Sequence, residues 1–182
     1  MITTKSFRLL FLTLVPVAII AASGDIDSSK STLTATFKQE GVSVENPFKK
    51  FSGHIAYDAA NVAASTAMIE VETASFDMGG EEYNAEVRKK AWFDSTAFPK
   101  AIFKSTSIKA DGASKFTASG TLTIKGKSID TSVPVSVQST ARGTAFDGSI
   151  VISRAGFGIG DPAWNDVLDD KVTVHFHFIN VK

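Results

Sequence analysis

Apolar and polar side chains alternate with a period of two along most of this chain. Leu33, Ala35 and Phe37 alternate with Thr34, Thr36 and Lys38, and Phe51, Gly53, Ile55 and Tyr57 with Ser52, His54 and Asp58. The pattern continues through Ala67, Ile69 and Val71, less clearly from Ala101 to Ile108, then through Phe116, Ala118, Gly120, Leu122 and Ile124. Val133, Val135 and Val137 follow, then Phe146, Gly148, Ile150 and Ile152, and last Val172, Val174, Phe176 and Phe178. Such alternation predicts half-buried strands, and Thr, Val, Ile and Phe are the residues strands prefer. Turn signals at Asp58 to Asn61, Asp111-Gly112, Lys125-Gly126-Lys127 and Arg142-Gly143 separate the runs, so neighbours pair antiparallel. Two segments break the pattern. Glu81 to Ala91 places Tyr83, Val87 and Ala91 on one helical stripe with Glu86 and Lys90 at i, i+4. Asp161-Pro162 reads as an N-cap and first helical residue, opening a turn that carries Trp164 and Leu168. The expected fold is all-β: one eight-stranded antiparallel barrel with one or two short helices. Closure is expected because the apolar last strand would be a hazardous free edge.

Three strands place glycine on the apolar face: Gly53, Gly120 and Gly148. Glycine weakens a strand, so each needs a reason. Missing side chains could leave a void along the barrel axis for a long apolar ligand. Equally, glycine could relieve bending at barrel corners. On the first view Phe37, Phe51, Ile55, Ile69, Phe103, Leu122, Phe146, Ile150, Phe157 and Phe176 contact the ligand. Leucine at Gly120 or Gly148 then fills the channel while sparing the fold. Burying each CH₂ group is worth about 0.8 kcal/mol, so a lipid tail has ample driving force to occupy such a void.

Composition narrows the function classes. The chain has 182 residues, with 19 basic and 19 acidic side chains, and lacks the basic footprint of a nucleic-acid binder. Fourteen Phe against two Trp and two Tyr equip it to build apolar surface. With no Cys, disulfides, thiolate nucleophiles and Cys-based metal sites are excluded. Residues 1–23 have the form of a cleavable export signal. Lys5 and Arg8 precede the apolar stretch Leu9 to Ile20, and Ala21-Ala22-Ser23 supplies the small residues a peptidase reads. The mature domain is then residues 24–182, and its expected location is the periplasm.

Other chemistry is sparse. The segment Arg154 to Gly160 offers backbone N–H groups and Arg154 to an anionic head group, or else is a tightly packed strand-to-loop transition. Lys49-Lys50 and Lys89-Lys90 are candidates for phosphate or membrane-surface contact, or plain solvated charge. His175 and His177 share one strand face without a third ligand beside them, so no metal site is expected. No catalytic motif stands out, and no catalytic residue is assigned. Trp92-Phe93 anchors the first helix onto the barrel or gates a ligand entrance.

Five segments in order also carry a resemblance. They are Phe48-Lys49-Lys50-Phe51-Ser52-Gly53, Trp92-Phe93-Asp94-Ser95-Thr96-Ala97-Phe98-Pro99, Gly120 to Gly126, Ile152 to Ile159, and the closing alternation Val172 to Phe178. In these the chain resembles the YceI-like, polyisoprenoid-binding proteins of bacteria, from about Ser29 to the C-terminus. The resemblance implies a lipocalin-like barrel with an isoprenoid or similar amphiphile inside, a periplasmic or secreted location, and no enzymatic activity. The expected function is a carrier that sequesters a polyisoprenoid such as a quinone or a prenyl phosphate. It would use no other cofactor, touch a membrane or membrane protein transiently, and be able to form a homodimer. Its contact residues add Trp92 and the glycines Gly53, Gly120 and Gly148 to those above. The alternative is a filled barrel without ligand, serving as an interaction or stress-response module.

Overall fold

The computed structural model describes residues 21–141 and 143–180. Residues 1–20, which hold most of the expected export signal, and Arg142 of the turn signal lie outside the described residues. Ten strands form one antiparallel sheet: β1 (Ala21–Asp25), β2 (Thr32–Gln39), β3 (Val42–Pro47), β4 (Phe51–Asp58), β5 (Thr66–Glu72), β6 (Lys100–Gly112), β7 (Lys115–Ile124), β8 (Lys127–Thr140), β9 (Gly143–Ser153) and β10 (Lys171–Asn180). Their spatial order is β1-β4-β5-β6-β7-β8-β9-β10-β2-β3. All eight expected strands are present, and β1 and β3 are additional. The expected helix is shorter than its sequence pattern. It spans α1 (Glu81–Val87), with Val87 buried but Tyr83 64% exposed. Because the helix stops before Lys90, Glu86 pairs with Lys89 instead, at 2.6 Å. Asp161 does cap a short 3₁₀ turn, Pro162–Trp164, accepting the Ala163 N–H at 2.9 Å.

The sheet curls into a half-barrel. Its seam is closed by connecting segments rather than by a continuous ladder. At one end Ile26 bridges to Asn180, and the Asp27 N–H donates to the Ile179 carbonyl at 2.8 Å. The Ser31 hydroxyl accepts the Ile179 N–H at 2.8 Å, and the Asn180 amide donates across the seam to the Ile55 carbonyl at 2.8 Å. Elsewhere the end of β3 is tied to the stretch after β5, where Phe48 bridges to Phe76 and the Asp77 N–H donates to the Pro47 carbonyl. The ladder also parts between β8 and β9. These two pair only from Val135 to Thr140 on β8, while β9 continues along β10 to Ser153. The segment after β9 packs into this opening, with Phe157 and Ile159 buried beside Ile124 and Ile152.

The seam has an acid-sensitive clasp. The Asp27 carboxylate is held by the Lys30 ammonium and by the hydroxyl and N–H of Ser29, which lower its pKa to about 2. A carboxyl depressed in the folded state adds stability above its unfolded pKa, and that contribution is lost as pH falls through the folded value. Stability should therefore decline between about pH 4 and pH 2. Asp27→Asn should flatten that part of the profile, as urea midpoints measured against pH would show.

Candidate functional site

Inside the curl lies an apolar cavity of about 880 Å³. That is near the upper end of the range for small-molecule pockets, roughly 300–1,000 Å³. Strand alternation builds it, because every second side chain of β2 to β10 points inward. One end is closed by an aromatic layer. Tyr57 stacks on Phe116 at 5.5 Å between ring centroids, and Phe146 meets both edge-on. Burial pushes the Tyr57 phenol pKa up, so that end stays uncharged.

Nine of the expected contact residues line this cavity. Phe37 comes from β2, Ile55 from β4, Ile69 from β5, Phe103 from β6 and Leu122 from β7. Phe146 and Ile150 come from β9, Phe176 from β10, and Trp92 from the turn after α1. Phe51 does not; its ring packs against Phe178 at 5.6 Å. Phe157 is 3% exposed and sits in the separate cluster with Ile124 and Ile159.

The three strand glycines are likewise absent from the cavity wall. Their missing side chains leave no void, because neighbours already occupy the space. A Cβ at Gly53 would stand 2.7 Å from the Ile69 Cδ1 and from the Met68 carbonyl oxygen. At Gly148 it would stand 2.5 Å from the Phe176 ring and 2.6 Å from the Pro134 oxygen. At Gly120 it would overlap the Lys104 carbonyl oxygen. These glycines permit close backbone approach at bends, as the alternative explanation held. The cavity exists for a different reason, the curl of the sheet.

The segment Arg154 to Gly160 is not an anion cradle. All but one of its N–H groups, that of Phe157, are engaged: Arg154 donates to the Asp170 carbonyl, Ala155 to the Asp170 carboxylate, Gly156 to the Ser153 hydroxyl, Gly158 to the Ala155 carbonyl, Ile159 to the Arg154 carbonyl and Gly160 to the Ala91 carbonyl. Arg154 is 6% exposed, and its guanidinium donates to the carbonyls of Asp169, Ile159 and Leu168 and to the Asn165 Oδ1. Lys125 binds the loop from outside through the Gly158 carbonyl at 2.7 Å. This is the tightly packed transition, and it holds Trp164 and Leu168 against the cavity.

The charged groups of the lining come from α1, the turn after it and the loop after β9. Glu82, Glu86, Lys89, Arg154 and Asp169 are the charged residues of the lining, and Gln39, Asn46 and Ser65 are further polar ones. The Lys89 ammonium and, secondarily, the Trp92 indole N–H at 3.2 Å hold the Glu86 carboxyl below the usual range. Trp92 and Trp164 approach to 6.5 Å beside them. Asn46 lines the cavity from β3, 8% exposed among apolar neighbours, and its amide nitrogen is buried without a hydrogen-bond partner. Native structures leave few such groups, and each costs about 1–3 kcal/mol.

Several wall residues were not anticipated. Tyr57 and Phe116 share the faces of Ile55 and Ala118, so alternation could have found them. Phe76 and Met78 come from the stretch between β5 and α1, which has no period to read. His177 pairs with Asp147 at 2.6 Å, and among the described residues no cluster of three His, Cys, Asp or Glu groups could hold a metal ion.

Comparison with known proteins agrees with this architecture. The pattern of the YceI-like domain matches residues 25–179. The chain belongs to the YceI-like family. A UPF0312 protein of Vibrio cholerae is 31% identical over 116 residues, which cover 62% of this chain and 61% of that protein's length. The crystal structure of Burkholderia cenocepacia BcnA shares 39% identity and superposes with a TM-score of 0.81, covering 84% of this chain and 98% of BcnA. A polyisoprenoid binding domain from Saccharophagus degradans, implicated in plant cell wall breakdown, has the same fold. Its TM-score is 0.66 at 19% identity, over 86% of this chain and 97% of that domain.

Proposed function

We propose that this YceI-like protein is a carrier that sequesters a polyisoprenoid or similar long-chain amphiphile. The observation that carries the proposal is the cavity of about 880 Å³, with predominantly apolar walls and its charged residues on α1, just after it and in the loop after β9. The tail would lie along the walls toward Tyr57 and Phe146, with the head group at the end formed by α1, Trp92 and Trp164. Binding a polyisoprenoid, the property named for the Saccharophagus degradans domain, fits such a chamber. The assignment is to binding, without catalysis. Residues 1–23 would direct the carrier to the periplasm, where it would exchange cargo with a membrane or membrane protein, as a monomer or homodimer.

Native mass spectrometry of protein from its own source, followed by organic extraction, tests this directly. A stoichiometric adduct that extracts as an isoprenoid is expected. Delipidated protein should melt about 5–10 °C lower than protein with lipid at a hundred times its dissociation constant. That ligand excess adds about 2.7 kcal/mol, and each kcal/mol moves the midpoint of a domain this size by about 2–4 °C. The double variant Ala67→Phe, Ala101→Phe adds bulk from two wall positions on β5 and β6. It should fold, lose the adduct and lose the lipid-dependent shift. A bare mass from fresh, undelipidated wild-type protein would instead support the ligand-free module.

A further inference from the structure

We propose that the open end of the barrel docks on the surface of a zwitterionic lipid bilayer, with Val42, Tyr83 and Trp164 entering the head-group layer. The inference rests on the carrier reading and names the partner with which cargo is exchanged. Its first support is where the cavity opens. Every exposed residue of the lining lies at the end of β2, on α1 or the turn after it, or in the loop after β9. These elements form one rim. The Glu40 N–H donates to the Val167 carbonyl at 2.8 Å and the Asp169 N–H to the Lys38 carbonyl at 3.0 Å, which ties the β2–β3 tip to the loop. The loop meets the turn after α1 through the Gly160 N–H on the Ala91 carbonyl and through Trp164, 6.5 Å from Trp92.

The apolar side chains of this rim supply the second support. Among the described residues six large apolar side chains are exposed, and three of them, Val42, Tyr83 and Trp164, stand on the rim. Val42 is not part of the cavity lining, so contact with cargo does not account for it. Tyr and Trp, apolar bodies with polar tips, suit the boundary between head groups and acyl chains. A port laid against that boundary lets an apolar tail pass without exposing its CH₂ groups to water.

The charges select the kind of surface. The loop from Asp161 to Asp170 carries four aspartates and no cation. Over residues 38–42, 81–90 and 161–170 together, eight carboxylates stand against four cations. Two of those cations, Arg88 and Lys89, are already held by Glu81 at 3.0 Å and Glu86 at 2.6 Å. Such a rim is repelled by anionic lipid and complements the ammonium groups of phosphatidylethanolamine and phosphatidylcholine. Lys89-Lys90, the pair that the sequence offers to a membrane surface, is outnumbered here by carboxylates.

The test is sedimentation of the purified protein with vesicles of phosphatidylcholine and phosphatidylethanolamine. Binding is expected, and exchanging about a third of the lipid for phosphatidylglycerol should weaken it at least about threefold. Raising the salt from about 0.05 M to about 0.5 M should recover most of that loss, because screening shortens the reach of the repulsion. Val42→Ser and Tyr83→Ser should each weaken binding about threefold, and together about tenfold. Met68→Ser, an equally exposed kind of site on β5 outside the cavity lining, should bind as wild type does. In Trp92→Phe the sole tryptophan is Trp164, and brominated phosphatidylcholine should quench it. Should that variant fail to fold, Trp164→Phe makes the converse test, since it should remove most of the quenching seen in wild type. No sedimentation with zwitterionic vesicles, binding that rises with phosphatidylglycerol, or binding unmoved by the Val42 and Tyr83 changes overturns the docking surface. An adduct without vesicle binding would leave a carrier loaded by a protein with a basic face. Vesicle binding beside a bare mass would instead keep the docking surface and remove the cargo.

Discussion

Gly120→Ala is expected to destabilise the protein by about 3 kcal/mol, at the top of the usual range for overpacking. Gly120 stands on β7 opposite Ser105 of β6, where the register slips and Ser107 pairs with Ser119. At this bulge the strands approach so closely that a Cβ would overlap the Lys104 carbonyl oxygen and lie 2.8 Å from the Ser105 Cα. Both obstacles are backbone, so no side-chain rotation relieves them. The strands must separate, and the ladder bonds beside the bulge lengthen or break. Gly41→Ala is the informative control. It sits in the β2–β3 turn with φ +79° and nothing within 4 Å of its Cβ, so it should show only the left-handed backbone penalty of about 1–2 kcal/mol. Urea titration of both variants decides. Equal midpoints would mean that β6 and β7 can shift apart freely, and a void beside Gly120 would be credible again.

The same bulge shows what alternation can and cannot convey. The eight expected strands were legible because their inward side chains stay in step. The run from Ala101 to Ile108 read poorly because the extra residue between Ser105 and Ser107 throws that step out. β1, Ala21–Asp25, was hidden because it overlaps the end of the expected export signal, residues 1–23. β3 was hidden because its inward face mixes Val44 with Asn46, and because Val42 is 66% exposed at the hairpin tip. Alternation also placed most of the cavity wall, since facing inward is a property of the strand alone. It gave no help with depth. Phe51 and Phe37 have the same parity and composition, yet one packs on Phe178 and the other faces the lumen. That distinction depends on how far the sheet curls around each residue. The glycines misled for a related reason: an absent side chain looks the same in sequence whether space or another backbone occupies its place.

Arg154→Met should produce the other large effect, local rather than global. The guanidinium joins four acceptors at 2.9–3.1 Å: the carbonyls of Asp169, Ile159 and Leu168 and the Asn165 side chain. Methionine fills similar volume but leaves the buried Ile159 carbonyl, at a cost of about 1–3 kcal/mol, and three part-buried acceptors unmatched, and it removes the one side chain that ties both ends of the loop together. The segment from Ala155 to Asp170 should therefore detach while the sheet persists. Amide exchange there should rise to near-unprotected rates, with β7 and β10 keeping their protection. Arg154→Lys should behave similarly, because one ammonium cannot span a fork of four acceptors. Since Trp164 and Leu168 of this loop line the cavity, the proposed lipid cargo should leave several times faster from both variants. Unchanged exchange with unchanged release would show that the loop is held by Phe157 and Ile159 alone. Faster release from a loop that stays protected would be more informative: the guanidinium would then be touching the cargo, and an anionic head group would return to consideration.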